Sequence, residues 1–313
     1  MSELHPVVKR KEGLFFPSGN FFLDPQRAVS HAIVTHAHAD HAVAGSANVY
    51  CSKLTAQLMQ LRFGERAAGK FHVLGEEENF SVNGISCRFY SAGHIGGSMM
   101  VMMKWKNKNV LFTGDWNHSS CGHLTPCRFP QTDILITEAT FATPGMNHPE
   151  TAEEIKKISE SGVKVVAGAY RTGKAQRLSY LMSKYAAQIP VFVHRDIVPV
   201  HRLYENNGFN TGNWQPYSKQ QFQKEKIALY IVPPQTLPSY YGSRDVATTF
   251  VTGWKHRHKQ CTFVTNISDH ADWNGLLQMV SETKPSVIYT MHGSGKHFQT
   301  HYFASGIDVF EIQ

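Results

Sequence analysis

The chain has 313 residues, 42% hydrophobic and 18% charged, a balance that builds a packed core and excludes an intrinsically disordered chain. Its formal charge is +7; residues 139–268 hold 16 Lys and Arg against 8 Asp and Glu, so the middle of the chain supplies the whole excess. No run of about 18 apolar residues occurs, which excludes a transmembrane helix, and the basic opening MSELHPVVKRKEG lacks the apolar stretch of a signal peptide.

The first third reads as short strands and turns: Phe21–Asp24, Ala32–His36, Asn48–Tyr50 and Ser86–Tyr90 are apolar runs ending in polar residues. Met99–Trp105 and Val110–Thr113 flank a hairpin turn at Lys106–Asn109, and Asp133–Glu138 is a further buried-strand pattern. From Thr151 the rhythm changes to helix (Thr151–Ser161, with Thr151 and Glu154 in capping-box spacing), strand (Val163–Ala169), helix (Lys174–Ala187), strand (Val191–Val193) and helix (Pro199–Asn206). Such alternation predicts a parallel α/β sheet. After a loop at 207–218 come strands Ile227–Val232 and Val246–Trp254 around a turn-rich stretch. The end repeats the rhythm, with helices Ala271–Glu282 and Lys296–Ala304 and strands Ser286–Met291 and Asp308–Ile312.

Cys51, Cys87, Cys121, Cys127 and Cys261 are odd in number, scattered and without a CxxC pair. That pattern points to a reducing, cytoplasmic setting rather than a disulfide framework or a cysteine-type zinc knuckle. A localised basic surplus is the footprint of a polyanion partner. The chemistry concentrates at Thr35–His41, T-H-A-H-A-D-H, directly after a strand. Three imidazoles and a carboxylate on one tight loop can converge on a divalent cation. Three more polar residues close apolar strands: His94 in SAGHIGGS, Asp115 in LFTGDW and His292 in VIYTMHGS.

The series His36, His38, Asp40, His41, His94 and Asp115 resembles the ligand set of the metallo-β-lactamase superfamily, and Asp24 in FFLDP resembles its upstream structural aspartate. The resemblance implies an αββα sandwich and two divalent ions, zinc first and manganese as the alternative. His36, His38 and His94 would hold one ion, Asp40, His41 and His292 the other, with Asp115 between. Glu138 in LITEAT, His270 in ISDHAD and His292 are laid out as in the β-CASP nucleases, whose cap domain is inserted before the last histidines. This implies a metallo-β-lactamase domain at 1–140 and 266–313 and a reduced β-CASP-like α/β cap at 141–265, the basic, nucleic-acid-binding stretch.

GAYRTGKAQRL, PVFVH, IVPP, TGWKHRHK, SDHADWNGL and TMHGS are similar to bacterial ligase-associated DNA exonucleases, also described as predicted mRNA 3′-end processing exonucleases. The implied activity is phosphodiester hydrolysis, with His270 as general acid, Glu138 orienting it and Asp40 serving both ligation and catalysis. Relative to RNA-cleaving β-CASP enzymes the cap is shorter and no RNA-binding domain is expected after residue 313, which weakens a transfer of RNA specificity and leaves DNA the expected substrate; the resemblance to ligase-associated proteins implies a DNA ligase as partner. The alternatives are an RNA 3′-end processing nuclease and a non-catalytic nucleic-acid-binding scaffold, with a small-molecule hydrolase last.

Two stretches are expected to touch substrate. Gly168–Ala175 nearly spells a P-loop, but Ala175 stands where a magnesium-binding hydroxyl would be, so the expectation is an anion cradle of backbone amides with Arg171, Lys174 and Arg177 adding charge. In WKHRHK, period two places Lys255, Arg257 and Lys259 on one face of a strand as a phosphate track, and Trp254 is placed to stack on a base.

Overall fold

The hairpin expected around Lys106–Asn109 forms: strands Met99–Trp105 and Lys108–Phe112 pair antiparallel, with Lys106 at φ +54° in the turn. The structure, a computed structural model, describes residues 5–118, 122–254 and 260–312. Two units emerge from the folding of the chain. One comprises Met1–Ser120, Thr125–Asn147 and His270–Gln313, and the other Cys121–Leu124 and His148–Asp269.

The first unit holds two sheets. One runs in chain order, Val8–Arg10, Gly13–Phe16, Phe21–Leu23, His31–Ile33, Ser46–Cys51 and Ala68–Val73; it is antiparallel at its start and parallel from Phe21–Leu23 onward. The other is ordered Asp308–Glu311, Val287–Met291, Ile134–Glu138, Lys108–Phe112, Met99–Trp105, Ile85–Ser91 and Asn79–Val82. Its first three pairings are parallel and the rest antiparallel. Side chains of both sheets share one core, in which Phe16, Phe21, Phe89 and Phe112 are fully buried. Each such ring contributes roughly 2 kcal/mol through removal from water.

The outer faces of both sheets are covered by helices. Ala56 and Met59 of helix Lys53–Phe63 pack on Ala32, Val34 and Val49 of the first sheet. Leu276, Met279 and Val280 of helix Trp273–Thr283, with Phe298 of helix Lys296–Tyr302, pack on Met100, Leu111, Leu135 and Ile288 of the second. The result is a mixed α/β unit in which one face of each sheet looks at the other sheet.

The second unit is built on a third sheet, parallel throughout, ordered Gln215–Pro216, Val191–Val193, Leu229–Val232, Lys164–Gly168, Val246–Thr252 and Phe263–Asn266. Helices Thr151–Ser159 and Lys174–Tyr185 cover one face through Ile155, Ile158, Leu178, Leu181 and Met182, while Phe222 and Leu237 lie on the other. No helix among the described residues is long and apolar enough to cross a membrane.

Two local expectations differ from the structure. Helix Thr151–Ser159 is capped at Glu150 without a side-chain bond, so the Thr151–Glu154 capping box does not form. Glu154 is buried instead, because its carboxylate accepts the Asn266 amide at 2.7 Å and Lys157 Nζ at 2.6 Å. The sequence pattern also leaves out helix Lys53–Phe63. Ser52 caps it by accepting the Thr55 amide at 3.2 Å, but apolar residues Leu54, Ala56, Leu58, Leu61 and Phe63 fall nearer to the alternating spacing of a strand than to a helical stripe.

Candidate metal centre

The first unit's chemistry-bearing residues stand where strands end. Asp24 follows Phe21–Leu23, Thr35–His41 follow His31–Ile33, His94 follows Ile85–Ser91, Asp115 follows Lys108–Phe112, Glu138 ends its own strand and His292 follows Val287–Met291. Two glycines let these loops close on each other. Gly93 sits at φ +63° and a Cβ there would lie 2.3 Å from Asn117 O; Gly114 sits at φ +53° and a Cβ there would lie 2.5 Å from Thr35 Oγ1. The His94 and Asp115 loops are therefore pressed directly against their neighbours, and the Asn117 amide donates to Ala92 O at 2.9 Å.

Asp24 organises the histidine loop. Its Oδ1 accepts the Thr35 amide at 2.7 Å, and its Oδ2 accepts Thr35 Oγ1 at 2.6 Å and His41 Nδ1 at 2.8 Å. The single Thr35 hydroxyl proton goes to Asp24, so toward His36 Nδ1, 3.0 Å away, Thr35 Oγ1 accepts. Both imidazoles thus carry their proton on Nδ1 and turn Nε2 inward. His36 Nε2 and His41 Nε2 are buried without a hydrogen-bond partner and face Asp115 Oδ2 at 3.7 and 3.3 Å.

The ligand atoms of His36, His38, His94 and Asp115 all lie within 4.8 Å of one another. His94 Nε2 also faces His38 Nδ1 at 3.1 Å and Asp115 Oδ2 at 3.7 Å. Asp24 with His36 and His41 makes a second such set, but the Asp24 oxygens are already engaged, which gives it the orienting role. Burial, then the neighbouring His41, His94 and His38, push the His36 imidazole well below its ordinary range. Burial would lower His41 too, yet the Asp115 and Asp24 carboxylates outweigh it and hold His41 well above. Burial opposes ionisation of Asp115, but His41 and then His270 hold its carboxyl well below the usual range. Two buried, unpartnered imidazole nitrogens aimed at a carboxylate fit a divalent cation. Without one, these polar groups stay uncompensated.

Asp40 and His292 stand at the open side of this cluster. The Asp40 side chain is 66% exposed with Oδ2 3.7 Å from His41 Nε2, and the exposed His292, at φ +55°, places its ring centroid 5.2 Å from that of His41. Beside the cluster, His270 Nδ1 meets Glu138 Oε2 at 2.7 Å and lies 3.9 Å from Asp115 Oδ2. Glu138 is buried and fully engaged: Oε1 accepts the Trp116 amide at 2.9 Å, and Oε2 also accepts Thr140 Oγ1 at 2.6 Å. Thr35 and Thr140, which carry so much of this geometry, escape sequence reasoning because their only signal is a hydroxyl next to a chemistry-bearing residue.

The expected substrate contacts of the second unit fare differently. Lys174 is 5% exposed; Nζ donates to Asp269 Oδ2 at 2.9 Å and Ile267 O at 2.8 Å. Arg177 is equally buried, with Nη1 on Ser268 O and 3.4 Å from Asp269 Oδ1. Burial lowers the Lys174 pKa even against the pull of Asp269. Both cations are thus internal partners of Asp269, contrary to the expectation that they meet a substrate. Two of the amides expected in the anion cradle are also taken internally: Gln176 Oε1 accepts the Gly173 amide at 2.7 Å and Tyr170 O accepts the Ala175 amide at 3.1 Å. Arg171 and Trp254 remain exposed, and Lys255, Arg257 and Lys259 lie outside the described residues.

No protein-family model matches the chain. It is 29% identical over 322 residues to a protein of Opitutus terrae named a probable DNA ligase, an alignment that covers 97% of this chain and 31% of that one. An RNase J-like protein of Methanocaldococcus jannaschii is 26% identical over 211 residues, covering 57% of this chain and 50% of the relative. The chain therefore spans 31% to 50% of the length of these relatives. Among solved structures, a protein of unknown function from Enterococcus faecalis V583 superposes with a TM-score of 0.57 at 13% identity, over 90% of this chain and 79% of that one. That likeness concerns the fold.

Proposed function

We propose that the chain is a metal-dependent nuclease of the metallo-β-lactamase β-CASP family, a DNA exonuclease of the ligase-associated type; its similarity to a probable DNA ligase, an RNase J-like protein and an endoribonuclease supports the reading. The observation that carries the reading is the His270–Glu138 pair at 2.7 Å beside the histidine and aspartate cluster. A β-lactam or thioester hydrolase has no need of a second, carboxylate-held imidazole there. In this reading the first unit is an αββα sandwich and the basic stretch at 141–265 is a reduced β-CASP-like cap.

His36, His38 and His94 would hold one divalent ion and Asp40, His41 and His292 the other, with Asp115 shared. The imidazole-rich set favours zinc, with manganese as the alternative. When bound, such a pair polarises a phosphodiester and lowers the pKa of water. The chain's own residues do the rest. Asp24 and Thr35 hold His41 and His36 with Nε2 inward. Glu138 accepts the Nδ1 proton of His270, which leaves Nε2 as the position that delivers a proton to the departing oxygen of the phosphodiester. The scattered cysteines agree with a cytoplasmic enzyme, and the resemblance to ligase-associated proteins makes a DNA ligase the expected functional partner in repair.

A second reading, an RNA 3′-end processing nuclease, is favoured by the RNase J-like relative. Purified chain incubated with end-labelled single- and double-stranded DNA and RNA, with added zinc or manganese, separates the two. Stepwise shortening of DNA is the expected result. Turnover of RNA alone selects the second reading, and hydrolysis of a β-lactam or thioester without nucleic-acid cleavage overturns both.

A further inference from the structure

We infer that the carboxyl edge of the third sheet is a stacking track for an unpaired nucleic-acid strand, with Tyr170 and Trp254 against bases and Arg171 and Arg195 against phosphates. The inference rests on the nuclease reading and narrows its substrate to strands whose bases are free. Because every pairing in this sheet is parallel, all its strands end on one edge, and open parallel sheets take their ligands there.

Across that edge in spatial order, the residues just past the strand ends are Tyr217, then His194 and Arg195, then Pro233 and Pro234, then Tyr170 and Arg171, then Trp254. The backbone holds three of these stations in place. The Tyr217 amide donates to Val193 O at 3.0 Å, His194 to Ile231 O at 2.9 Å and Ala169 to Val232 O at 2.9 Å. Aromatic rings and cations thus stand on both sides of the Pro233–Pro234 turn.

Two of these rings face water. Tyr170 is 56% exposed and touches the sheet through an edge-on contact with Phe250, ring centroids 6.3 Å apart; Trp254 is 39% exposed. Removing such rings from water is favourable for any partner that offers a flat apolar face. The rings behind them are braced: Tyr217 stacks on Tyr230 at 4.0 Å and 18°, and Tyr230 lies against His194 at 6.3 Å and 29°.

Arg195 is 89% exposed, and its 3.7 Å approach to Asp196 is a solvated ion pair that a phosphate displaces at little cost. The stretch Gly168–Gly173 carries Arg171 and no acid, within a segment whose surplus is 16 cations against 8 anions. That charge selects a polyanion, and the rings select one whose bases are out of a duplex, since a paired base has no free face for an aromatic ring.

The test uses the full chain loaded with zinc and a fluorescein-labelled, cleavage-resistant phosphorothioate oligothymidylate of about twelve nucleotides, a length within the range such tracks occupy. Tyr170→Ala and Trp254→Ala are each expected to weaken single-strand binding by about tenfold. Tyr170→Phe, which keeps the ring, is expected to bind like the wild type, and a duplex of the same length is expected to bind all four proteins alike. Oligouridylate is expected to show the same losses, because a ring face does not sense the 2′-hydroxyl. Photocrosslinking with a 5-iodouracil strand is expected to label Tyr170 or Trp254. Unchanged affinity in both alanine variants, or crosslinks confined to other residues, overturns the track. If the wild type cleaves nucleic acid while the alanine variants bind unchanged, only the track fails. If the wild type neither binds nor cleaves any strand, the nuclease reading fails beneath it.

Discussion

Asp24 touches no substrate in any reading of the site, yet three hydrogen bonds make it the residue that decides where two imidazoles point. Its left-handed backbone, φ +42°, is one that Asp and Asn tolerate better than most residues. Asp24→Asn is therefore expected to fold while lowering affinity for zinc by about 10- to 100-fold, the usual cost of losing a carboxylate behind a histidine ligand. Competition with a zinc-binding dye measures it. His270 is a different case: Glu138 holds it beside the cluster at 2.7 Å, and in the proposed reading neither residue is a metal ligand. His270→Ala is expected to keep its metal content by elemental analysis and to lose about 10²- to 10⁴-fold in turnover of end-labelled DNA. Loss of metal in that variant would sink the proton-donor assignment. Legibility at this scale was uneven. Imidazoles and carboxylates stand out in THAHADH, whereas Thr35 and Thr140 become visible only when a hydroxyl proton has to be placed.

Helix Lys174–Tyr185 shows how an element can look like a ligand site and be something else. Gln176 closes its start through Gly173, and its Nε2 also meets His201 Nδ1 at 2.9 Å, while Ser179 Oγ meets His201 Nε2 at 2.9 Å. With Gln176 donating to Nδ1, the neutral imidazole donates from Nε2 to Ser179; a second proton breaks the first of these bonds. Burial lowers the His201 pKa to about 4. The folded value lies below the unfolded one near 6.5, so its contribution is complete above about pH 6.5 and is lost as the pH falls toward 4, in total about 3 kcal/mol. Denaturant melts of wild type and His201→Gln across that window are expected to converge as the pH falls; parallel curves would refute the assignment. Taking the difference removes every contribution that the two proteins share. The basic residues of this helix misled sequence reasoning because Lys174 and Arg177 advertise charge, and nothing in the local pattern reveals that Asp269, more than 90 residues on, meets them in the interior.

At the scale of the whole molecule, the proposed ligand set is scattered from residue 36 to residue 292 and comes together only when both sheets of the first unit have formed. Metal that binds the folded chain and not the unfolded one stabilises it by about 4 kcal/mol at a thousand times Kd. Chelation is accordingly expected to lower the melting temperature of the unit carrying the histidine cluster, in calorimetry with and without a chelator, and to abolish nuclease activity. The all-parallel second unit has no such cluster among its described residues, and its transition is expected to stay in place.

Element types and the order of the chemistry were written in the sequence, because strand and helix periods and the THAHADH loop are local patterns that survive without neighbours. Met99–Trp105 and Val191–Val193 form with the bounds their side chains suggest. Which cations are buried against Asp269 and which imidazole nitrogen is free were decided by tertiary structure alone. Those properties depend on burial and on the sharing of single protons between groups far apart in the chain, and no window of sequence contains both partners.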